Sequence, residues 1–138
     1  MNTLLLDTHV LLWMVGGNPK VSVEARRAIQ EAAELGQLYV SAITPWEIAL
    51  LVSKRRIDLG MDVQAWLDAA LGLPGIKLYP LLPEIAVAST RLPGEIHNDP
   101  ADRILVATAR HIGATLITAD EQLIRYATQG NFRCMAVS

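Results

Sequence analysis

Five short strand-like runs punctuate this chain, and the stretches between them have room for one or two helices each. The runs are Thr3–Leu6, Leu38–Val40, Ile76–Tyr79, Thr115–Thr118 and, as an edge strand, Phe132–Ala136. Strands that alternate with helix-length segments point to an α/β domain with a mainly parallel sheet. Helices are predicted at about 8–15, stopped by Gly16-Gly17, and at 23–35, capped by Ser22 and ended by Gly36. A third opens at Thr44, with Pro45 at its first position and Glu47 three residues after the cap, and runs to about Arg55. Further helices are predicted at 62–71, 83–91, from Asp99-Pro100 to about His111, and at 121–126. At 138 residues, without repeat or linker, the chain fits one domain, residues 1–138.

Composition narrows the class. The chain is 51% hydrophobic and 19% charged, enough apolar material for a packed core. Residues 1–15 are apolar but lack a basic leading region and are broken by Asp7 and His9, so neither a signal peptide nor a membrane span is expected. The single cysteine, Cys134, allows no intramolecular disulfide and no cysteine-based zinc site, which suits a reducing cytoplasm. A net charge of −2 does not indicate a strongly basic nucleic-acid binder. It leaves room for a nuclease, because a metal-binding carboxylate cluster is itself acidic.

Most of the 14 acidic residues fall on helical, solvent-like faces, but four are placed differently. Asp7 follows the first strand directly, and Asp120 falls just past "TLIT". In an open parallel sheet the carboxyl ends of the strands form the functional edge. Glu47 lies in the first turn of the helix after the second strand. Asp102 joins this rim only if the loop at 92–98 crosses over, so that the helix carrying it also starts there. Each acid has a plainer reading. Asp7, Asp99 and Asp120 suit helix capping, Asp102 a positive first turn, and Glu47 a capping box with Thr44. Together, converging carboxylates repel one another unless protonated or bridged by a cation. Mg²⁺ or Mn²⁺ is the natural bridge, and the chemistry this suits is metal-assisted phosphodiester hydrolysis.

The segments "LLLDTHVLLW", "SAITPWEIALLVSKRRIDL", "HNDPADRILVATAR" and "TLITAD", in this order, resemble a PIN domain, specifically the toxin subunit of VapBC-type toxin–antitoxin pairs. The resemblance spans residues 3 to about 126. It implies a three-layer α/β/α sandwich around a parallel sheet and Mg²⁺-dependent endoribonuclease activity, with Mn²⁺ as a substitute. It also implies inhibition by a cognate antitoxin, and homodimers or toxin–antitoxin hetero-oligomers. The implied quartet is Asp7, Glu47, Asp102 and Asp120. Asp99 is either an N-cap or an accessory ligand, and Thr8 and Thr118 are supporting hydroxyls or local caps. Related toxins often carry "DPFDR" where this chain has Ala101, a change of packing that keeps the acids.

Other features are weaker. His9, His97 and His111 share no metal-ligand spacing; His9 is expected to pack or hydrogen-bond rather than to point toward the rim, and His111 suits a helix C-terminus. Lys54-Arg55-Arg56 is the only basic run, read either as a helix-end charge cluster or as an RNA-backbone contact. Arg103 is a candidate for phosphate or for a salt bridge within the site. Trp13, Trp46 and Trp66 are expected in the core or at interfaces rather than as base-stacking platforms, and with seven aromatics in all a stacking surface for single-stranded RNA is thin. Nucleotide-loop motifs are absent. The rival class is a non-catalytic Mg²⁺-binding receiver-like domain. It usually shows adjacent acids after the first strand, whereas Asp7 has no acidic neighbour.

Overall fold

The computed structural model describes residues 3–138. β1 is Leu4–Leu6, and its three leucines are all buried, pointing alternately to the two faces of the sheet. Leu4 and Leu6 join one apolar cluster and Leu5 the other. A strand buried on both faces has no polar alternation, which is why it reads as a continuous apolar run.

The chain continues through α1 (Thr8–Val15), α2 (Val23–Glu34), β2 (Leu38–Ser41), α3 (Ile43–Ser53), α4 (Val63–Leu71) and β3 (Ile76–Tyr79). It then passes through α5 (Pro83–Ser89), α6 (Pro100–Ile112), β4 (Thr115–Thr118), α7 (Glu121–Ala127) and β5 (Arg133–Ala136). All strand pairs are parallel, in the order β3-β2-β1-β4-β5. Val10 and Leu11 of α1, Ile29 of α2 and Leu67 of α4 pack on one face. Ile85 of α5, Leu105 and Val106 of α6 and Leu123 of α7 pack on the other. The result is the expected α/β/α sandwich. Among the described residues, no helix is long and apolar enough to cross a membrane.

The topology positions the site. From β1 the chain winds outward to β2 and β3, then returns across the sheet to place β4 on the other side of β1. This reversal opens a crevice at the carboxyl ends of β1 and β4, where ligands of doubly wound sheets bind. α6 leads into β4 and runs back against it, so its first turn lies at that same rim. The crossover that Asp102 required is present.

The N-terminus of α3 departs from expectation. The helix starts at Ile43 after Ala42, and no side chain of the cap residue bonds into it; Ser41 Oγ instead accepts from Ile43 N at 3.1 Å. Thr44 is therefore no N-cap, and Thr44 with Glu47 forms no capping box. Pro45 falls at the third helical position, still among the backbone N–H groups that lack an intrahelical partner, so its missing donor is harmless. α3 also ends at Ser53, earlier than expected, because Arg55 adopts a left-handed backbone with φ of 57°.

Candidate metal centre

Asp7 leaves β1 at the rim and caps α1. One carboxylate oxygen accepts from Thr8 N at 2.7 Å and the other from Thr118 Oγ1 at 2.5 Å. Thr118, the last residue of β4, is fully buried, and its hydroxyl also accepts from Asp120 N at 3.0 Å. One hydroxyl thus ties the acids beyond β1 and β4 together across the crevice. Thr8 does the same toward α3. Its Oγ1 donates to Glu47 Oε1 at 2.5 Å and lies 3.2 Å from Thr44 Oγ1. These hydroxyls orient carboxylates; the capping reading of Glu47 is replaced by a bond across elements.

Asp120 caps α7, accepting from Gln122 N at 2.8 Å and Leu123 N at 3.3 Å. Asp99 caps α6, accepting from Ala101 N at 2.9 Å and Asp102 N at 3.2 Å. Capping and cluster membership are compatible here. Asp7, Glu47, Asp99, Asp102 and Asp120 all line one cleft of about 390 Å³, with His9 and Trp13.

Sequence reasoning missed His97. Its Nε2 sits 2.7 Å from Asp102 Oδ2, and ligand atoms of His97, Asp102 and Asp120 lie within 4.8 Å of one another. The three histidines share no mutual spacing, but this one pairs with an acid five residues on, across a loop-to-helix junction that has no periodicity to read. Arg103 holds that loop in place. Its Nε donates to Ser89 O at 2.8 Å, and its Nη1 donates to Ile96 O at 3.3 Å and His97 O at 3.4 Å. Among the described residues Arg103 forms no salt bridge. It is a clamp on residues 89–97, bonded to carbonyls inside the chain.

His9 is exposed on the cleft wall with its ring 5.9 Å from that of Trp13, rather than packed inside. His111 lies in the last turn of α6 as expected, its ring 6.2 Å from that of Tyr79. Lys54 and Arg56 line a neighbouring cavity with Glu47 and Asp99, while Arg55 is exposed and outside it.

The electrostatics record the crowding. Burial pushes the Asp7 carboxyl above its ordinary value, against the Thr118 and Thr8 hydrogen bonds that lower it. Glu47 is pushed up to about 7, mainly by burial, with the Thr8 bond opposing and the charges of Asp7, Asp102 and Asp99 adding. Asp102 is pushed up to about 6, mainly by burial; its His97 bond opposes, and Asp99, Asp7 and Asp120 add. Among the described residues the sole ion pair is His97–Asp102, so no lysine or arginine neutralises the cluster. Oxygen-rich, partly desolvated and mutually repelling, this donor set fits a hard divalent cation.

The family model of the PIN domain matches residues 4–129. Ribonuclease VapC22 of Mycobacterium tuberculosis is 36% identical over 123 residues, covering 89% of this chain and 91% of that protein. Among solved structures, VapBC2 from Rickettsia felis bound to a promoter DNA fragment superposes with a TM-score of 0.71 at 18% identity, covering 96% of this chain and 97% of the other. DNA-bound VapBC from Salmonella typhimurium gives 0.69 at 15% identity over 100% of both chains. At such identities these structures speak for the fold, while the family match carries through nearly the whole chain. The chain belongs to the PIN-domain family.

Proposed function

We propose that this chain is a Mg²⁺-dependent endoribonuclease, the toxin of a toxin–antitoxin pair, that hydrolyses RNA phosphodiester bonds at Asp7, Glu47, Asp102 and Asp120. The observation that carries the reading is the convergence of these acids in one cleft at the sheet's topological switch. Its similarity to a protein named a ribonuclease supports the same chemistry. Asp7, Glu47, Asp102 and Asp120 would hold the cation, which would supply water activation and charge stabilisation for phosphodiester hydrolysis. The chain's own residues hold the carboxylates still. Thr118 and the Thr8 amide fix Asp7, the Thr8 hydroxyl fixes Glu47, and His97 orients Asp102. Asp99 serves chiefly as the cap of α6, with an accessory place on the cleft wall.

Mg²⁺ suits a carboxylate-rich set that keeps waters on the ion, and Mn²⁺ substitutes for it. Solved relatives of this fold are toxin–antitoxin complexes, which supports a cognate antitoxin as the protein partner, with homodimers or hetero-oligomers as the assembled forms. An RNA substrate supports a cytoplasmic site of action. The test is RNA cleavage by the purified chain, freed of any partner, with Mg²⁺, Mn²⁺ or EDTA, beside Asp7→Asn. Cleavage is expected with either ion and lost in EDTA, and Asp7→Asn is expected to reduce it more than about 100-fold. Cleavage that survives EDTA or the substitution overturns the reading.

A further inference from the structure

Beside the acidic cleft lies a second cavity of about 300 Å³, and Glu47 and Asp99 line both. The two spaces therefore share a wall. Trp46, Leu50 and Lys54 line the second one at spacings of four residues, which puts them on a single ridge of α3. From Trp46 to Lys54 that ridge is about 12 Å long. Trp46 is 55% exposed, whereas Trp13 and Trp66 pack against the core. An indole kept in solvent beside a charged cleft has a flat apolar face with no intramolecular use.

The end of α3 completes the cavity. Arg55 takes its left-handed backbone, and Arg56 N then donates to Leu51 O at 2.9 Å. The chain folds back on the last turn instead of running on, and Arg56 returns to the cavity wall beside Lys54. Neither cation has a carboxylate partner among the described residues. From the acids outward, the wall offers metal-binding carboxylates, then an aromatic face, then two free cations.

We infer that this cavity is a nucleotide subsite, in which a base of single-stranded RNA next to the scissile phosphate stacks on Trp46 while Lys54 and Arg56 hold the adjoining backbone. The inference rests on the RNA-cleaving reading above and deepens it. A base presents a π-face to the indole and a phosphate to the cations, which matches the order of groups along the wall. The space admits a single base, not a duplex, whose bases are already stacked on one another.

The experiment measures binding of a fluorescein-labelled, mixed-sequence, single-stranded 12-nucleotide RNA to the full chain carrying Asp7→Asn to block turnover. Adding Trp46→Ala is expected to weaken binding about tenfold or more, and Trp46→Phe to restore most of it. Lys54→Ala and Arg56→Ala are each expected to flatten the slope of log affinity against log salt by about 0.7. A blunt RNA duplex is expected to be indifferent to Trp46→Ala. A melting temperature near that of the parent shows that the half-exposed Trp46 position tolerates the change. Equal single-strand binding by Trp46→Ala and its parent overturns the subsite, as does an equal loss on the duplex. So does a Trp46→Ala chain that binds RNA normally but falls from dimer to monomer in light scattering, which makes this face a protein contact. Wild-type cleavage in Mg²⁺ is measured alongside. Cleavage with equal binding removes the subsite alone, whereas no cleavage removes the nuclease reading itself.

Discussion

Thr118 shows how much one hydroxyl can hold. It is fully buried, donates to Asp7 and accepts from the Asp120 amide, so two of the clustered acids depend on it. Thr118→Val keeps the shape and removes both bonds. It leaves a buried carboxylate oxygen and a backbone N–H without partners, at a cost of about 2 kcal/mol in unfolding free energy. Denaturant melts with and without Mg²⁺ check this. The metal-free loss is expected near that size, and RNA cleavage is expected to fall with it because Asp7 is no longer held. His97 teaches the complementary lesson. Its partner Asp102 is fixed by α6, but His97 itself stands in a loop whose path is set by Arg103, by the Tyr126 hydroxyl on Pro93 O and by Gln129 on Glu95. None of those pairings has a sequence period, so His97 reads from sequence as one of three unrelated histidines.

Among the elements, α3 carries the most function and is the one whose ends departed from expectation. Its N-terminal signals, Thr44, Pro45 and Glu47, match a capping box in spacing. The polar side chains were recruited instead by Thr8 of α1, because the sheet brings the starts of α1 and α3 to the same rim. At the other end, Arg55 occupies a left-handed backbone that favours glycine. Arg55→Gly is expected to raise stability by roughly 0.5–1 kcal/mol, since the relief of Cβ strain exceeds the added chain entropy. Arg55 lies outside the cavity that Lys54 and Arg56 line, so RNA cleavage is expected to stay at wild-type level. Chemical denaturation beside the cleavage assay checks both halves, and an unchanged or lowered midpoint sinks the strain argument.

For the whole molecule, the cleft makes metal-free stability depend on pH in a definite direction. Burial raises the carboxyls of Asp7, Glu47 and Asp102 above ordinary values of 3.8, 4.5 and 3.8, Glu47 to about 7 and Asp102 to about 6. Between about pH 4 and 7 the folded chain therefore holds protons that the unfolded chain has released. Their contribution to stability is full below the unfolded values and is lost as pH rises through the folded ones. In EDTA, wild type is expected to lose more melting temperature than Glu47→Gln between pH 5 and 7.5, and Mg²⁺ is expected to restore wild type most at the higher pH. Parallel curves for the two proteins in EDTA would count against the raised Glu47. The strands, the helices and the four acids at helix starts were legible because each depends on local patterns: buried runs, caps and breakers within a few residues. What joins them was not. The sequence by itself determined that carboxylates stand where strands end and helices begin. Only the tertiary structure decided that the chain crosses back from β3 to β4, that Thr8 and Thr118 tie separate acids together, and that His97 meets Asp102. Those contacts join residues up to 111 positions apart, and no local pattern specifies which surfaces meet once the sheet closes its core.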